Sequence, residues 1–170
     1  MKIGITGTRH GMTKLQKKFC GYVFEALNPE EVHQGDCVGA DADAHRVAVE
    51  LGIFTVCHPP EKHELRAYTI PNEMRKPKSY FARNRNIVDE TDLLLGFPSK
   101  RSPRLGGTWY TIDYALKKNK PVIWFSQQPE LIIYENVTEE VKRKIRDAIG
   151  DGAWKTLNTN DVLSKGTYTV

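Results

Sequence analysis

Cysteine is scarce: Cys20, Cys37 and Cys57 are the only three in 170 residues, and no two of them form a C-x-x-C pair. An odd, unpaired set argues against a disulfide framework and against a structural zinc site of the usual spacing. The thiols read as small core residues in a reducing compartment. Long apolar runs are also missing. No stretch approaches the roughly 20 residues needed to cross a bilayer, and the opening Met1-Lys2-Ile3-Gly4 lacks the apolar centre of a secretion signal. A cytoplasmic protein with no membrane partner is expected. Internal repeats and low-complexity linkers are absent, so residues 1–170 are read as one domain, the size of an ordinary globular unit.

Hydrophobic residues make up 39% and charged residues 27%, a balance that suits a soluble α/β protein and excludes an extended disordered chain. The formal charge of +4 favours an anionic partner without demanding nucleic acid.

Hydrophobic spacing predicts the order of elements. Lys2 to Thr6 is a strand closed by Gly7-Thr8-Arg9, and Met12 to Leu27 is a helix with Thr13 as N-cap and Asn28-Pro29 as its stop. Glu31 to Gly35 is a strand, Ala40 to Leu51 a helix and Ile53 to Cys57 a strand. Two successive βα units imply a parallel sheet. Glu61 to Lys78 is broken by Pro71 and Pro77 and reads as an irregular excursion with a helical turn or two, of the kind that borders a pocket. Ser79 to Glu90 is helical, and Asp92 to Phe97 is a strand apolar enough to be buried on both faces. Pro98 to Leu105 is a basic loop, Gly106 to Lys118 a helix and Pro121 to Phe125 a further strand. A doubly wound core over 1–125 results, with an α/β extension over 126–170. There Leu131 to Tyr134 is an added strand or an interface, and Thr138 to Ile149 is an amphipathic helix. Its cations Lys142, Arg143, Lys144 and Arg146 read as a solvated face, and Trp154 as a residue packed on the core.

In open parallel sheets ligands bind beyond the carboxyl ends of the strands, where backbone N–H groups at helix starts are exposed. Four segments fall there. Gly7-Thr8-Arg9 combines a tight turn, a hydroxyl and a fixed cation suited to phosphate. In Gly35 to His45, Gly35, Gly39 and Ala40 allow close backbone approach, while Asp36 or Asp41 can contact a sugar or base. Asp41 and Asp43 do not share a helix face, so no metal is expected from them, and His45 reads as a residue holding the loop. In Tyr80 to Asp92, Arg83, Asn84 and Arg85 lie close together beside a buried strand, and the two cations need an anionic partner, whether a ligand or Asp89, Glu90 or Asp92. In Arg104 to Ala115, Gly106, Gly107 and Thr108 open a helix as a phosphate cradle, with Thr111 a further hydroxyl.

These segments, in this order, resemble the SLOG superfamily of Rossmann-like proteins, which includes the DNA-processing protein A (Smf) proteins and the Lonely Guy phosphoribohydrolases. GDCVGADADAH is similar to the G-x-x-x-G-x-D-x-x-AH segment of DNA-processing protein A, ARNRNIV to its RNR helix, GGTWYTIDYA to its SGT-x-x-TA segment and GITGTR to its first strand and turn. The resemblance covers about residues 1–125. It implies a Rossmann-like, doubly wound, mainly parallel sheet flanked by helices, and a homodimer or higher homo-oligomer.

The chain departs from the phosphoribohydrolase pattern at its glutamate, whose place falls on Thr111 or Tyr114; Asp113 is one residue off and points about 100° around the helix. Neither Thr nor Tyr can serve as a carboxylate acid or base at neutral pH. The expectation is therefore binding of a nucleotide or nucleotide-derived small molecule without cleavage and with no further cofactor. Two alternatives stand beside it. One is a single-stranded-DNA-binding recombination mediator like DNA-processing protein A, with Lys100, Arg101 and Arg104 on the backbone. The other is a nucleotide N-glycoside hydrolase with Asp36 or Asp41 in place of the glutamate.

Overall fold

Alternation of apolar strands with amphipathic helices gives thirteen elements in the described residues: β1 (Lys2–Gly7), α1 (Lys14–Leu27), β2 (Glu31–Gln34), α2 (Ala40–Glu50), β3 (Phe54–Cys57), β4 (Glu73–Met74), α3 (Tyr80–Asp89), β5 (Leu93–Phe97), α4 (Gly107–Lys117), β6 (Val122–Phe125), β7 (Leu131–Ile133), α5 (Glu139–Ile149) and α6 (Asp151–Leu157). The structure, a computed structural model, describes residues 1–100, 104–128, 130–134 and 136–157.

The strands form one seven-stranded sheet in the order β4-β3-β2-β1-β5-β6-β7, parallel throughout except for β7, which runs antiparallel to β6. From β1 the chain steps outward to β4, returns through α3 to place β5 against the other side of β1, and steps outward again. The winding direction thus reverses between β1 and β5. Helices α1, α2 and α5 contribute to the core on one face, with Phe19, Phe24, Ala44 and Ile145 against Ile3, Ile5 and Leu95. On the other, Val88 of α3 and Trp109 and Ile112 of α4 pack on Leu94, Val122 and Trp124. Burial on both faces explains why β5 is apolar at every position but one.

Local chemistry sets the helix ends. Thr13 caps α1 in a full capping box with Gln16, and Asn28 closes it in the left-handed region at φ 43°. Thr138 caps α5 by accepting from the Val141 N–H. The excursion from Glu61 to Lys78 differs from expectation. It contains no helical turn, and its one regular element is β4, which extends the sheet beyond β3. Side chains hold it there: Asn72 accepts from the Thr55 N–H at 2.8 Å. The segment 131–133 is an edge strand on the core, with Leu131 and Ile132 buried. Trp154 packs against the first core cluster, while the stretch beyond 157 lies outside the described residues. Among the described residues no helix is long and apolar enough to cross a membrane.

Candidate functional site

At the carboxyl ends of β1 and β5, where the winding reverses, the structure opens a cleft of about 520 Å³. Gly7, Thr8 and Arg9 leave β1 along one wall, and Pro98, Ser99 and Lys100 leave β5 beside them. Tyr80, Phe81, Arg83 and Asn84 enter from the first turns of α3, Cys37 and Asp41 from the β2–α2 junction, and Gly106, Gly107 and Thr108 from the start of α4.

Arg83 is the main buried cation of this cleft, only 5% exposed. Its Nη1 reaches Asp41 Oδ2 at 3.4 Å and its Nη2 reaches Cys37 Sγ at 3.2 Å, while Nε is buried with no partner among the described residues. Gly35 makes this placement possible, because a Cβ there would fall inside the guanidinium. Burial pushes the Asp41 carboxyl above its ordinary range, against the opposing pull of Arg83 and the Cys37 N–H. Burial likewise raises the Cys37 thiol, helped by Asp41 and opposed by Arg83. A buried guanidinium whose Nε has no partner among the described residues, beside a carboxyl raised by burial, is able to accept a further anion.

The N-terminus of α4 faces the same space. Gly106 is its N-cap and has no side chain to cap it, so the first N–H groups and the helix dipole face the cleft. Asn84 Nδ2 donates to the Gly107 carbonyl at 3.5 Å and ties this turn to α3.

Of the expected contact residues, Gly7, Thr8, Arg9, Asp41, Arg83, Asn84, Gly106, Gly107, Thr108 and Lys100 line the cleft. Others serve it indirectly. Gly39, at φ 93°, lets α2 start against the β1 turn, since a Cβ would sit 2.5 Å from the Thr8 and Arg9 carbonyls. Ala40 then donates its N–H to Thr8 O at 2.9 Å. Thr111 is buried and donates to the Gly107 carbonyl at 2.7 Å, a bond within its own helix.

Asp36 requires a correction. It is fully buried and does not line the cleft. Its carboxylate accepts from Arg66 Nε at 2.7 Å and from Thr69 N and Oγ1 at 2.9 Å each, its own N–H donates to Gln34 Oε1, and its backbone sits at φ 57°. The residue therefore clamps the 61–78 excursion and is not available to a sugar or base. Asp43 points elsewhere, to the Met12 N–H at 2.7 Å, Lys17 and Arg46. His45 is buried, donates to the Ile70 carbonyl and leaves Nδ1 without a partner among the described residues. Arg85 bonds the Tyr110 hydroxyl at 2.8 Å in place of the three acidic residues expected. Arg104 lies over the Trp109 ring at 4.5 Å and pairs with Asp113, off the cleft lining, and Arg101 lies outside the described residues.

Sequence reasoning missed Tyr80, Phe81 and Cys37 as lining residues. Tyr80 sits three and four positions before Arg83 and Asn84, the spacing of a shared helix face, so a signal for it existed. Leu65, from the excursion, had none.

Fold and cleft together define a Rossmann-like α/β protein with an open cleft at its topological switch point. Neither a family model nor a curated protein sequence matches the chain. Among solved structures, it is similar to the molybdenum cofactor binding protein of Rippkaea orientalis, with 23% identity over 74% of this chain and 76% of that one and a TM-score of 0.58. DNA processing protein A of Streptococcus pneumoniae gives 17% identity over 86% of this chain at TM-score 0.58, and the match spans 56% of that protein's length. The molybdenum cofactor carrier protein of Chlamydomonas reinhardtii gives 19% identity over 94% of this chain and 98% of that one, at TM-score 0.53. At these identities the correspondence is one of fold.

Proposed function

We propose that this chain binds a phosphorylated heterocyclic small molecule, a nucleotide or a nucleotide-derived compound, and holds it uncleaved as carrier, sensor or store. The observation that carries this reading is Arg83, a buried guanidinium whose Nε has no partner among the described residues, in the same cleft as the glycine-capped start of α4. Phosphate rests on Gly106, Gly107 and Thr108 and on the Gly7 to Arg9 turn, with Arg83 balancing its charge. Asp41 reads the sugar or ring, and Tyr80 and Phe81 offer aromatic faces to a heterocycle. Two fold neighbours, a molybdenum cofactor binding protein and a molybdenum cofactor carrier protein, hold a small molecule on this fold, which supports a carrier or binding role.

Native mass spectrometry of the purified protein, followed by denaturation and identification of what is released, tests this reading. An intact phosphorylated heterocycle is the expected result. Its affinity, measured by calorimetry, should fall in Arg83→Ala by about 1.5–3 kcal/mol, the value of a lost charge-assisted contact. Unchanged affinity rejects the pocket. Release of free base or sugar phosphate, abolished in Asp41→Asn, would replace binding with hydrolysis.

A second reading, single-stranded DNA binding by a self-associated protein, is favoured by the exposed Arg9 and Lys100 on the cleft lining. It requires oligonucleotide affinity that falls steeply with salt and exceeds that for mononucleotides.

A further inference from the structure

Away from the cleft, a second cluster joins β2, the end of β3 and the C-cap of α3. His33 Nδ1 lies 2.9 Å from His58 Nε2, which lies 3.9 Å from Glu90 Oε2, and among the described residues this is the only group of three such side chains whose donor atoms converge within 4.8 Å. None of the three lines the cleft. We propose that His33 Nδ1, His58 Nε2 and Glu90 Oε2 form a binding site for one divalent transition metal ion of the zinc class.

Orientation carries the argument. Glu31 Oε2 lies 2.8 Å from His33 Nε2, and the other oxygen of that carboxylate, Oε1, is held by Lys2 at 2.9 Å. A carboxylate only accepts, so the His33 proton sits on Nε2 and the Nδ1 lone pair is aimed at His58. This is the carboxylate–histidine arrangement that fixes tautomer and ring direction at metal sites. In the metal-free protein His58 must present an Nε2–H to that lone pair. A metal takes the place of this proton when His58 moves to its Nδ1–H tautomer, with no net proton released. Tetrahedral zinc, with Zn–N distances of about 2.0–2.1 Å, needs its two nitrogens roughly 3.3 Å apart, a small opening from the observed contact. Arg75 Nε holds Glu90 Oε2 at 2.9 Å and so positions the third donor. Arg75, Lys78 and Arg83 oppose a dication electrostatically, and Glu31, Glu73 and Glu90 offset them. Both imidazoles are buried while Glu90 is 33% exposed, so the ion enters past the carboxylate.

The test is titration of the untagged, chelator-stripped protein with Zn²⁺ by calorimetry and with Co²⁺ by absorption spectroscopy. One equivalent per chain is expected, with a cobalt spectrum of nitrogen and oxygen donors. Glu90→Gln should weaken Zn²⁺ binding about 10-fold or more. Because His58→Asn removes a core hydrogen bond, the partly exposed Glu90 carries the decision. Absence of stoichiometric uptake, unchanged affinity in Glu90→Gln, or a thiolate-to-cobalt band pointing to cysteine would each overturn the site.

Discussion

Gly35 and Asp36 are neighbours with opposite duties, and each can be tested alone. A methyl at Gly35 must displace the Arg83 guanidinium. Gly35→Ala is expected to cost about 1–3 kcal/mol as an overpacked site and to abolish binding of the phosphorylated ligand, which calorimetry beside thermal unfolding separates. Asp36→Ala strands Arg66, 11% exposed, together with the Thr69 donors. Removing one partner of such a buried pair should cost about 3–5 kcal/mol in urea unfolding. A change under 1 kcal/mol would mean that Asp36 does not hold the excursion. Burial also pushes Cys57 up to about 12 and raises Cys20 further, so neither thiol should react with a maleimide in the folded protein at pH 7.

At the scale of elements, α1 shows how one side chain links local and long-range structure. Gln16 closes the capping box through the Thr13 N–H at 3.0 Å, while its Nε2 donates to the Phe125 carbonyl at 2.7 Å and the Pro98 carbonyl at 3.3 Å. It thereby pins the helix to the ends of β5 and β6, next to the cleft. Thr13→Ala should cost about 1 kcal/mol, the value of a cap. Gln16→Ala should cost more, because it also takes a donor from the Phe125 and Pro98 carbonyls, of which Pro98 keeps the Gln127 N–H at 3.2 Å, and equal losses from the two changes would show that the long-range bonds contribute nothing. Thr13 was legible as a cap from its position before an amphipathic run. Gln16's reach to Phe125 was not, since 109 positions separate them.

For the whole molecule, buried histidines set the response to acid. Burial lowers His33 and His45 below the ordinary value of 6.5 and takes His58 to about 3, with His33 and Arg75 adding to the effect on His58. Unfolded, all three accept protons near 6.5; folded, they resist them. The unfolded state therefore gains protons first, and the stability of the metal-free protein should fall as pH drops from about 6.5 toward 3. Asp41, whose carboxyl is raised by burial, works in the opposite direction and reduces this fall. Urea unfolding at pH 7 and pH 5 checks this, and equal free energies at the two values would contradict it.

Much of the fold was legible because period and punctuation are local: apolar strands, the Thr13 and Thr138 caps, and glycine turns at Gly7 and Gly106 each declare themselves within a few residues. The cleft was legible where its residues cluster in short motifs, as Arg83-Asn84 and Gly106-Gly107-Thr108 do. Asp36 was misread because a carboxylate in a glycine-rich loop looks the same along the chain whether it faces a ligand or Arg66. His33, His58 and Glu90 gave no motif at all, being spread over two strand ends and a helix end. Neighbouring residues set the elements through backbone propensity and hydrophobic period. Which side chains meet was settled by the strand order, since placing β5 beside β1 is what brings Gly7, Arg83 and Gly106 around one space.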